Sequence, residues 1–113
     1  MSAESSRMGT LSRPALEMIA ELFKALGDAT RLELLQHIYG GEKSVQQLCA
    51  LTNSCQANVS KHLTLLSERG IIKRRKQKLF VYYSLSDPTI IQLIEIVCVS
   101  LSERFTKAHL EFQ

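Results

Sequence analysis

Residues 54–70 read SCQANVSKHLTLLSERG, and this stretch decides the fold. Its apolar residues recur at helical spacing and form a single seam: Val59, Leu63 and Leu66. The spacing predicts a helix from about Cys55 to Arg69, which Gly70 ends. Away from the seam, the first half of this helix is polar, so we expect one face to pack and the other to stay in water.

A shorter helix is predicted just upstream, from about Ser44 to Leu51. Its inward positions repeat at i, i+3 and i+4: Val45, Leu48 and Cys49. The polar residues 52–54 join the two helices, and we expect Asn53 or Ser54 to cap the second helix. Gln56 takes the capping-box position if Asn53 is the cap. Two short helices joined by a tight polar turn indicate a helix-turn-helix.

The pattern changes after Gly70. Residues 71–76 and 79–85 are rich in β-prone side chains, and Gln77 and Lys78 lie between them. This pattern predicts a β-hairpin with a basic tip. A helix-turn-helix followed by such a hairpin is typical of a winged helix-turn-helix.

Two further helices precede this unit. They are predicted from about Pro14 to Leu26 and from about Ala29 to Tyr39, with Ser12 and Asp28 as N-caps. The first carries an apolar stripe at helical spacing: Leu16, Ile19, Ala20, Leu22, Phe23 and Leu26. The second is expected to turn three residues inward: Leu32, Leu35 and Ile38.

A last helix is predicted to begin near Asp87 and Pro88 and to continue to about Phe105. Apolar residues go most of the way round it: Ile90, Ile91, Leu93, Ile94, Ile96, Val97, Cys98, Val99 and Leu101. Such a helix needs two burial surfaces, and a small domain supplies one. We therefore expect a homodimer through this helix.

The predicted fold is mainly α, with about five helices and a two-stranded hairpin wing. We expect a flexible tail over residues 1–12 and one folded domain over residues 13–108. The 113 residues suit a single domain, and the 45% hydrophobic content suits a globular one. No apolar run approaches the roughly 20 residues that span a bilayer, and the N-terminus has no apolar h-region. Three cysteines, an odd number, favour free thiols in a reducing cytoplasm.

Basic charge is concentrated in one part of the chain. The net charge is only +3, yet the sole anion between residues 56 and 84 is Glu68. The cations of that stretch are Lys61, Arg69, Lys73, Arg74, Arg75, Lys76 and Lys78. A local basic stripe is typical of a polyanion partner, although a solvated lysine-rich hairpin has the same composition. We expect double-stranded DNA as the partner.

The predicted DNA-contacting residues lie on the second helix of the motif and on the wing. They are Ser54, Gln56, Ala57, Asn58, Ser60, Lys61, His62, Arg74, Arg75, Lys76 and Lys78. Gln56 and Asn58 can pair bidentately with adenine in the major groove, and serines can serve several base edges. Lys61 and the helix N-terminus suit phosphates, and the wing cations suit phosphates or the minor groove.

Three blocks of this sequence resemble the ArsR/SmtB family of bacterial metal- and stress-sensing repressors. They are LFKALGDATRLELLQHI (Leu22–Ile38), SVQQLCALTNSCQANVSKHLTLLSERGII (Ser44–Ile72) and VYYSLSD (Val81–Asp87). The resemblance covers roughly residues 16–105. It implies a dimer held by the first and last helices, an operator with two-fold symmetry, and repression relieved by an inducer.

The metal sites of that family lack their ligands in this sequence. The positions that align with its arsenic-sensing cysteines are Ser44 and Gln46, which offer no thiolate to As(III). The positions that align with its zinc-type site are Asp87, Thr89, Ser100 and Glu103. Two oxygen donors without histidine make a poor zinc site, and His109 reads as a solvated tail residue. We therefore predict no metal site and no required cofactor.

Three cysteines are candidate sensors: Cys49, Cys55 and Cys98. Cys55 opens the recognition helix, where free amides and the helix dipole stabilise a thiolate, and an adduct there would lie near a DNA phosphate. Cys98 resembles one half of a sulfur-sensing pair of the family, but the partner position is Gln36. Plain packing is the simpler explanation of Cys49 and Cys98. Two inducer chemistries stay open. One is As(III) or Sb(III) bound by a Cys49–Cys55 pair or by all three thiols, and the other is thiol modification by a persulfide or an oxidant.

These observations predict a sequence-specific DNA-binding repressor that an inducer releases. Activation would use the same contacts and stays open. The alternative is a winged-helix protein-interaction module without specific DNA binding, although such modules usually lose the basic wing and polar face that this chain keeps. An enzyme is not expected, because His37 and His62 lie near no obvious nucleophile and there is no Gly-rich phosphate loop.

Overall fold

The computed structural model describes residues 8–107, so the predicted tail residues 1–7 and His109 lie outside the described residues. Residues 8–107 form five α-helices: α1 (Arg13–Leu26), α2 (Ala29–Tyr39), α3 (Val45–Thr52), α4 (Gln56–Glu68) and α5 (Thr89–Lys107). The same residues form three strands: β1 (Lys43–Ser44), β2 (Ile72–Gln77) and β3 (Phe80–Leu85). A short 3-10 turn, Met8–Thr10, precedes α1. The predicted winged helix-turn-helix fold is confirmed.

The first two helices begin where their capping residues predict. The Ser12 hydroxyl accepts a hydrogen bond from the Ala15 backbone N–H at 3.3 Å. The Asp28 carboxylate accepts one from the Arg31 backbone N–H at 3.1 Å. Each bond satisfies one of the backbone donors that a helix leaves free in its first turn.

The predicted cap of α4 is wrong. Cys55 is the N-cap residue, with φ −75 and ψ 156, and its side chain makes no capping hydrogen bond. Asn53 and Ser54 are used instead to end α3. Asn53 adopts a left-handed conformation with φ 52, and the backbone N–H of both residues donates to the Cys49 carbonyl. The turn therefore closes the first helix of the motif and leaves the start of the second without a side-chain cap.

A capping box lies one helix earlier than predicted. The Ser44 hydroxyl accepts from the Gln47 backbone N–H at 3.1 Å. The Gln47 side chain accepts in return from the Ser44 backbone N–H at 2.8 Å. This reciprocal pair fixes the start of α3, and hence the orientation of the whole motif.

The wing has three strands where two were predicted. The sheet order is β1-β3-β2, all antiparallel, and the added strand pairs Lys43 with Tyr83 and Ser44 with Tyr82. A strand of two residues is too short to produce a period-2 pattern, so the sequence did not reveal it. Gln77 pairs with Phe80, which moves the two-residue turn from the predicted residues 77–78 to residues 78–79.

The core lies where α2, α3 and α4 meet the base of the wing. Its fully buried members are Leu34, Leu35, Leu48, Val59, Leu63, Leu66, Ile71 and Ile72. The prediction for Leu32 is wrong. Helix α2 buries positions 34, 35 and 38, so Leu32 turns to a neighbouring face beside α5. Among residues 8–107, no helix is long and apolar enough to cross a membrane.

The Asp28 cap predicts a pH dependence of stability. The Arg31 backbone N–H and the Arg31 charge both favour the carboxylate and lower the pKa of Asp28 from 3.8. A lowered folded-state pKa adds stability that is complete above the unfolded value and is lost as the pH falls through the folded value. We expect Asp28→Ala to lower the free energy of unfolding at pH 7, with the difference from wild type narrowing below pH 3.8.

Urea unfolding followed by circular dichroism at pH 7 and at acid pH measures this effect. Asp28→Asn is the matched control, because its side chain still accepts from the Arg31 N–H but does not titrate. An Asp28→Ala protein as stable as wild type at pH 7 would show that the cap contributes nothing.

Candidate DNA interface

Helix α4 has one buried face and one solvent-exposed face. Val59, Leu63 and Leu66 are fully buried, whereas Gln56, Ala57, Asn58 and Lys61 are exposed. Two serines are half-buried at the edge of the exposed face. Ser54 lies in the turn before α4, and Ser60 lies within the helix. A helix held along one side presents its polar residues in fixed positions, as a major-groove reader requires.

Arg31 joins the recognition helix to the preceding helices. Its guanidinium donates to the Ala25 carbonyl at 2.6 Å and to the Lys24 carbonyl at 3.2 Å, both at the end of α1. Its Nη1 lies 3.1 Å from His62 Nδ1 on α4. Because a guanidinium only donates, Nδ1 is the acceptor in this contact. His62, predicted to contact DNA, is half-buried in this internal contact.

Arg75, the second predicted arginine of the wing, already has partners within the chain. Its guanidinium donates to both carboxylate oxygens of Glu42, at 3.0 and 2.8 Å, and to Gln77 at 2.6 Å. It also lies 4.8 Å from the ring centroid of Tyr82. The Arg75 hydrogen bonds lower the pKa of Glu42, and Glu42 in turn raises the pKa of Arg75. This fork holds the wing to the segment before β1.

The other wing cations have no such partners. Lys73, Arg74, Lys76 and Lys78 are exposed, and none makes an ion pair with any of residues 8–107. Side chains alternate along a strand, so Arg74 and Lys76 share one face of β2. Four exposed cations on a narrow hairpin, of which only Lys73 has a carboxylate nearby within residues 8–107 (Glu42), create a positive field suited to phosphates.

The three cysteines lie in different environments. Cys55 is exposed at the start of α4, within the polar face. Cys49 is half-buried and packs against the core, as its plain-packing interpretation predicts. Cys98 is exposed on α5 and lines two grooves beside α2.

Two of the positions that align with metal ligands of the family, Ser44 and Asp87, form helix-capping hydrogen bonds. Ser44 is occupied in the capping box of α3, and the Asp87 carboxylate accepts from the Thr89 backbone N–H at 2.9 Å. That hydrogen bond lowers the pKa of Asp87. Within residues 8–107, no three His, Cys, Asp or Glu side chains are grouped so as to hold a metal ion.

The sequence interpretation missed two residues that position this surface, Arg31 and Glu42. Both carried a signal. Arg31 follows the cap residue Asp28 by three positions in a mainly apolar helix, and a partly buried arginine needs several acceptors. Glu42 is the acidic residue that directly precedes the predicted motif, and a basic wing offers it an obvious counter-charge.

Comparison with known proteins agrees with this geometry. A helix-turn-helix domain family model matches residues 26–75. The cadmium resistance transcriptional regulatory protein CadC homolog of Staphylococcus aureus is 41% identical over 78 residues, which are 68% of this chain and 64% of that protein. The transcriptional repressor SmtB homolog of Synechocystis sp. is 32% identical over 93 residues, which are 82% of this chain and 70% of that protein.

Among solved structures, the homodimeric winged helix-turn-helix DNA-binding domain Mb0332 of Mycobacterium bovis has a TM-score of 0.72 at 26% identity. The similarity covers 91% of this chain and 92% of that domain. The fold, the exposed helix face and the basic wing together are those of a winged helix-turn-helix domain. The chain belongs to the ArsR/SmtB family. It spans just under two thirds of the length of the cadmium-resistance relative.

Replacing Arg31 tests the internal contact with α4. Arg31→Lys keeps the charge, but one ammonium cannot reach the Ala25 carbonyl, the Lys24 carbonyl and His62 together. We expect the free energy of unfolding to fall by about 1–3 kcal/mol, and DNA affinity to fall with it. Urea unfolding and fluorescence anisotropy measure the two effects.

Arg13→Lys is the matched control. Arg13 makes only an exposed i,i+4 ion pair with Glu17 at 3.3 Å, and such pairs contribute about 0.3–0.5 kcal/mol. If Arg31→Lys changes stability no more than Arg13→Lys does, Arg31 does not anchor the helix.

Proposed function

We propose that this protein is a homodimeric, sequence-specific repressor that binds an operator with two-fold symmetry. The observation that carries the proposal is the exposed polar face of α4 beside a wing whose cations Arg74, Lys76 and Lys78 make no ion pair within residues 8–107. Gln56 and Asn58 suit adenine edges in the major groove, while Lys61 suits a phosphate. Arg74, Lys76 and Lys78 suit phosphates or the minor groove. Arg75 is assigned instead to holding the wing.

An uncovered apolar surface supports the dimer. On α1, Leu16, Ile19 and Phe23 are exposed, although they form one stripe of the helix. Beside them, α1, α2 and α5 enclose a groove of about 360 Å³ lined almost wholly by apolar side chains. A second copy would cover this surface, and the Mycobacterium bovis neighbour is described as homodimeric. Two copies related by a two-fold axis require an operator with the same symmetry.

Repression is proposed because a dimer seated on promoter DNA excludes other proteins from it, and because the Synechocystis relative is named a repressor. The three free thiols fit a cytoplasmic regulator.

The inducer is proposed to be a thiol-reactive species acting at Cys55. This thiol is exposed at the first turn of α4, among the side chains assigned to DNA. An As(III), Sb(III) or persulfide adduct there adds bulk or charge where a DNA phosphate is expected, so it would release the DNA. Cys49 is half-buried in the core, which makes its modification slower and more disruptive.

DNA binding is tested with fluorescence anisotropy on a duplex from upstream of the protein's own gene, against a scrambled duplex. A dimer that neutralises roughly 6–10 phosphates is expected to lose about 10³-fold or more in affinity between roughly 50 and 200 mM salt. Gln56→Ala is expected to reduce discrimination between the two duplexes by about tenfold.

Gln92→Ala is the control for this variant, since Gln92 is an exposed glutamine on α5. Unchanged discrimination in Gln56→Ala would refute the base-reading assignment. Absence of salt-sensitive binding in the wild-type protein would favour a protein-interaction module instead.

The inducer is tested by adding arsenite, and separately a persulfide donor, to the preformed complex of reduced protein and duplex. One of the two reagents is expected to release the DNA from wild type and from Cys98→Ser, but not from Cys55→Ser. Release from Cys55→Ser equal to that from wild type would exclude Cys55 as the sensor. Binding that ignores both reagents would assign the cysteines to packing.

A further inference from the structure

The tip of the wing combines an apolar surface with positive charge. Gln77 and Phe80 form the last strand pair, and the turn between them consists of Lys78 and Leu79. Leu79 is 92% exposed, more than any other large apolar side chain among residues 8–107. Phe80 beside it is 48% exposed, and its ring lies 6.4 Å from that of Tyr82. The tip is therefore an apolar point supported by an aromatic pair.

The backbone of this turn is not the one that stability alone would favour. Lys78 has φ 56, a left-handed conformation that is costly for a residue with a side chain. Hairpins of this length usually place glycine or asparagine there. A lysine in a left-handed conformation and a leucine that is 92% exposed both cost folding free energy. Such features are typical of a contact with another molecule.

The charge around the tip indicates which kind of molecule it contacts. Residues 73–85 contain no acidic side chain. Lys78 directly precedes Leu79 in the turn and Lys76 lies near the end of β2, and neither has an ion-pair partner within residues 8–107. An apolar point beside two cations suits the DNA minor groove, whose walls are apolar sugars bordered by phosphates. The tip also continues the basic hairpin that the proposed function already assigns to DNA.

We propose that Leu79, supported by Phe80, is an apolar wedge that enters the minor groove next to each operator half-site. Lys76 and Lys78, on the β2 side of the tip, hold phosphates that border the groove. Apolar wedges of this kind partly unstack a base step and bend the duplex toward the major groove. In a dimer, two symmetric wedges would bend the operator at both ends. This inference rests on the proposed function and adds a contact and a DNA distortion to it.

The test uses the full chain and the duplex from upstream of its own gene. Anisotropy measures affinity and its salt dependence, and energy transfer between dyes at the two duplex ends measures bending. Leu79→Ser is expected to lower the affinity for DNA by about tenfold, because a leucine that becomes buried in the minor groove on binding is replaced by a polar serine. The slope of the logarithm of affinity against the logarithm of salt concentration should stay unchanged. The wild-type protein is expected to bend the duplex by at least about 20°, and the variant should bend it less.

Three controls separate the wedge from other effects. Leu79→Met keeps an apolar tip and should bind and bend as wild type does. Met8→Ser removes another strongly exposed apolar side chain, 73% exposed in the turn before α1, and should change neither quantity. Lys76→Ala should lower affinity and also reduce the salt slope by about 1.8 for a dimer, as two lost phosphate contacts predict.

If Leu79→Ser binds and bends DNA as the wild-type protein does, the wedge proposal is wrong, whereas the proposed repressor function is unaffected. The exposed tip would then be a contact for a protein partner. A loss of affinity that comes with a lower salt slope would also overturn it, because the tip would then act through its lysines. Absence of DNA binding by the wild-type protein would overturn the proposed function and the wedge together.

Discussion

The DNA-facing surface depends on the burial of one side of α4. Val59, Leu63 and Leu66 are fully enclosed by α2, α3 and the base of the wing. Burying such side chains contributes about 1.5–3 kcal/mol each, so the helix cannot rotate about its axis without losing most of that free energy. The exposed direction of Gln56, Asn58 and Lys61 is a consequence of this packing. It does not require any contact made by those polar residues themselves.

Arginines and lysines have different roles at this surface. Arg31 and Arg75 make contacts within the chain, since the planar guanidinium of each donates hydrogen bonds to several acceptors at once. Arg31 fixes α4 to the end of α1, and Arg75 fixes the wing to Glu42. The free charges are mostly lysines, which keep their donors for an external anion. The basic stripe is thus partly a scaffold and partly a binding surface, although its composition does not separate the two.

Sequence patterns predicted the elements that repeat and missed those that depend on a single distant contact. The seam of α4, the caps Ser12 and Asp28 and the two wing strands follow local rules, and all are present. Strand β1 has no pattern because it is two residues long. The role of Asn53 was misjudged because the end of α3 and the start of α4 compete for the same turn.

Leu32 and Arg75 illustrate the second limit. Periodicity places an apolar residue on a helix face but does not say which of two neighbouring faces the monomer covers, so Leu32 was placed in the core although it lies beside α5. Charge composition likewise counts Arg75 as free, although Glu42, 33 positions away in the chain, pairs with it. The candidate contacts on α4 were accessible from sequence because they depend only on the helical period.

In the proposed complex, the polar face of α4 and the wing contact one DNA duplex, while α1 and α5 face a second copy of the chain. Backbone amide chemical shifts of the isotopically labelled protein, recorded with and without the duplex from upstream of its gene, test this most directly. We expect large shift changes for residues 54–62 and 73–80 and small changes for α1 and α5. Changes concentrated on α1 and α5, with the α4 face unaffected, would contradict it.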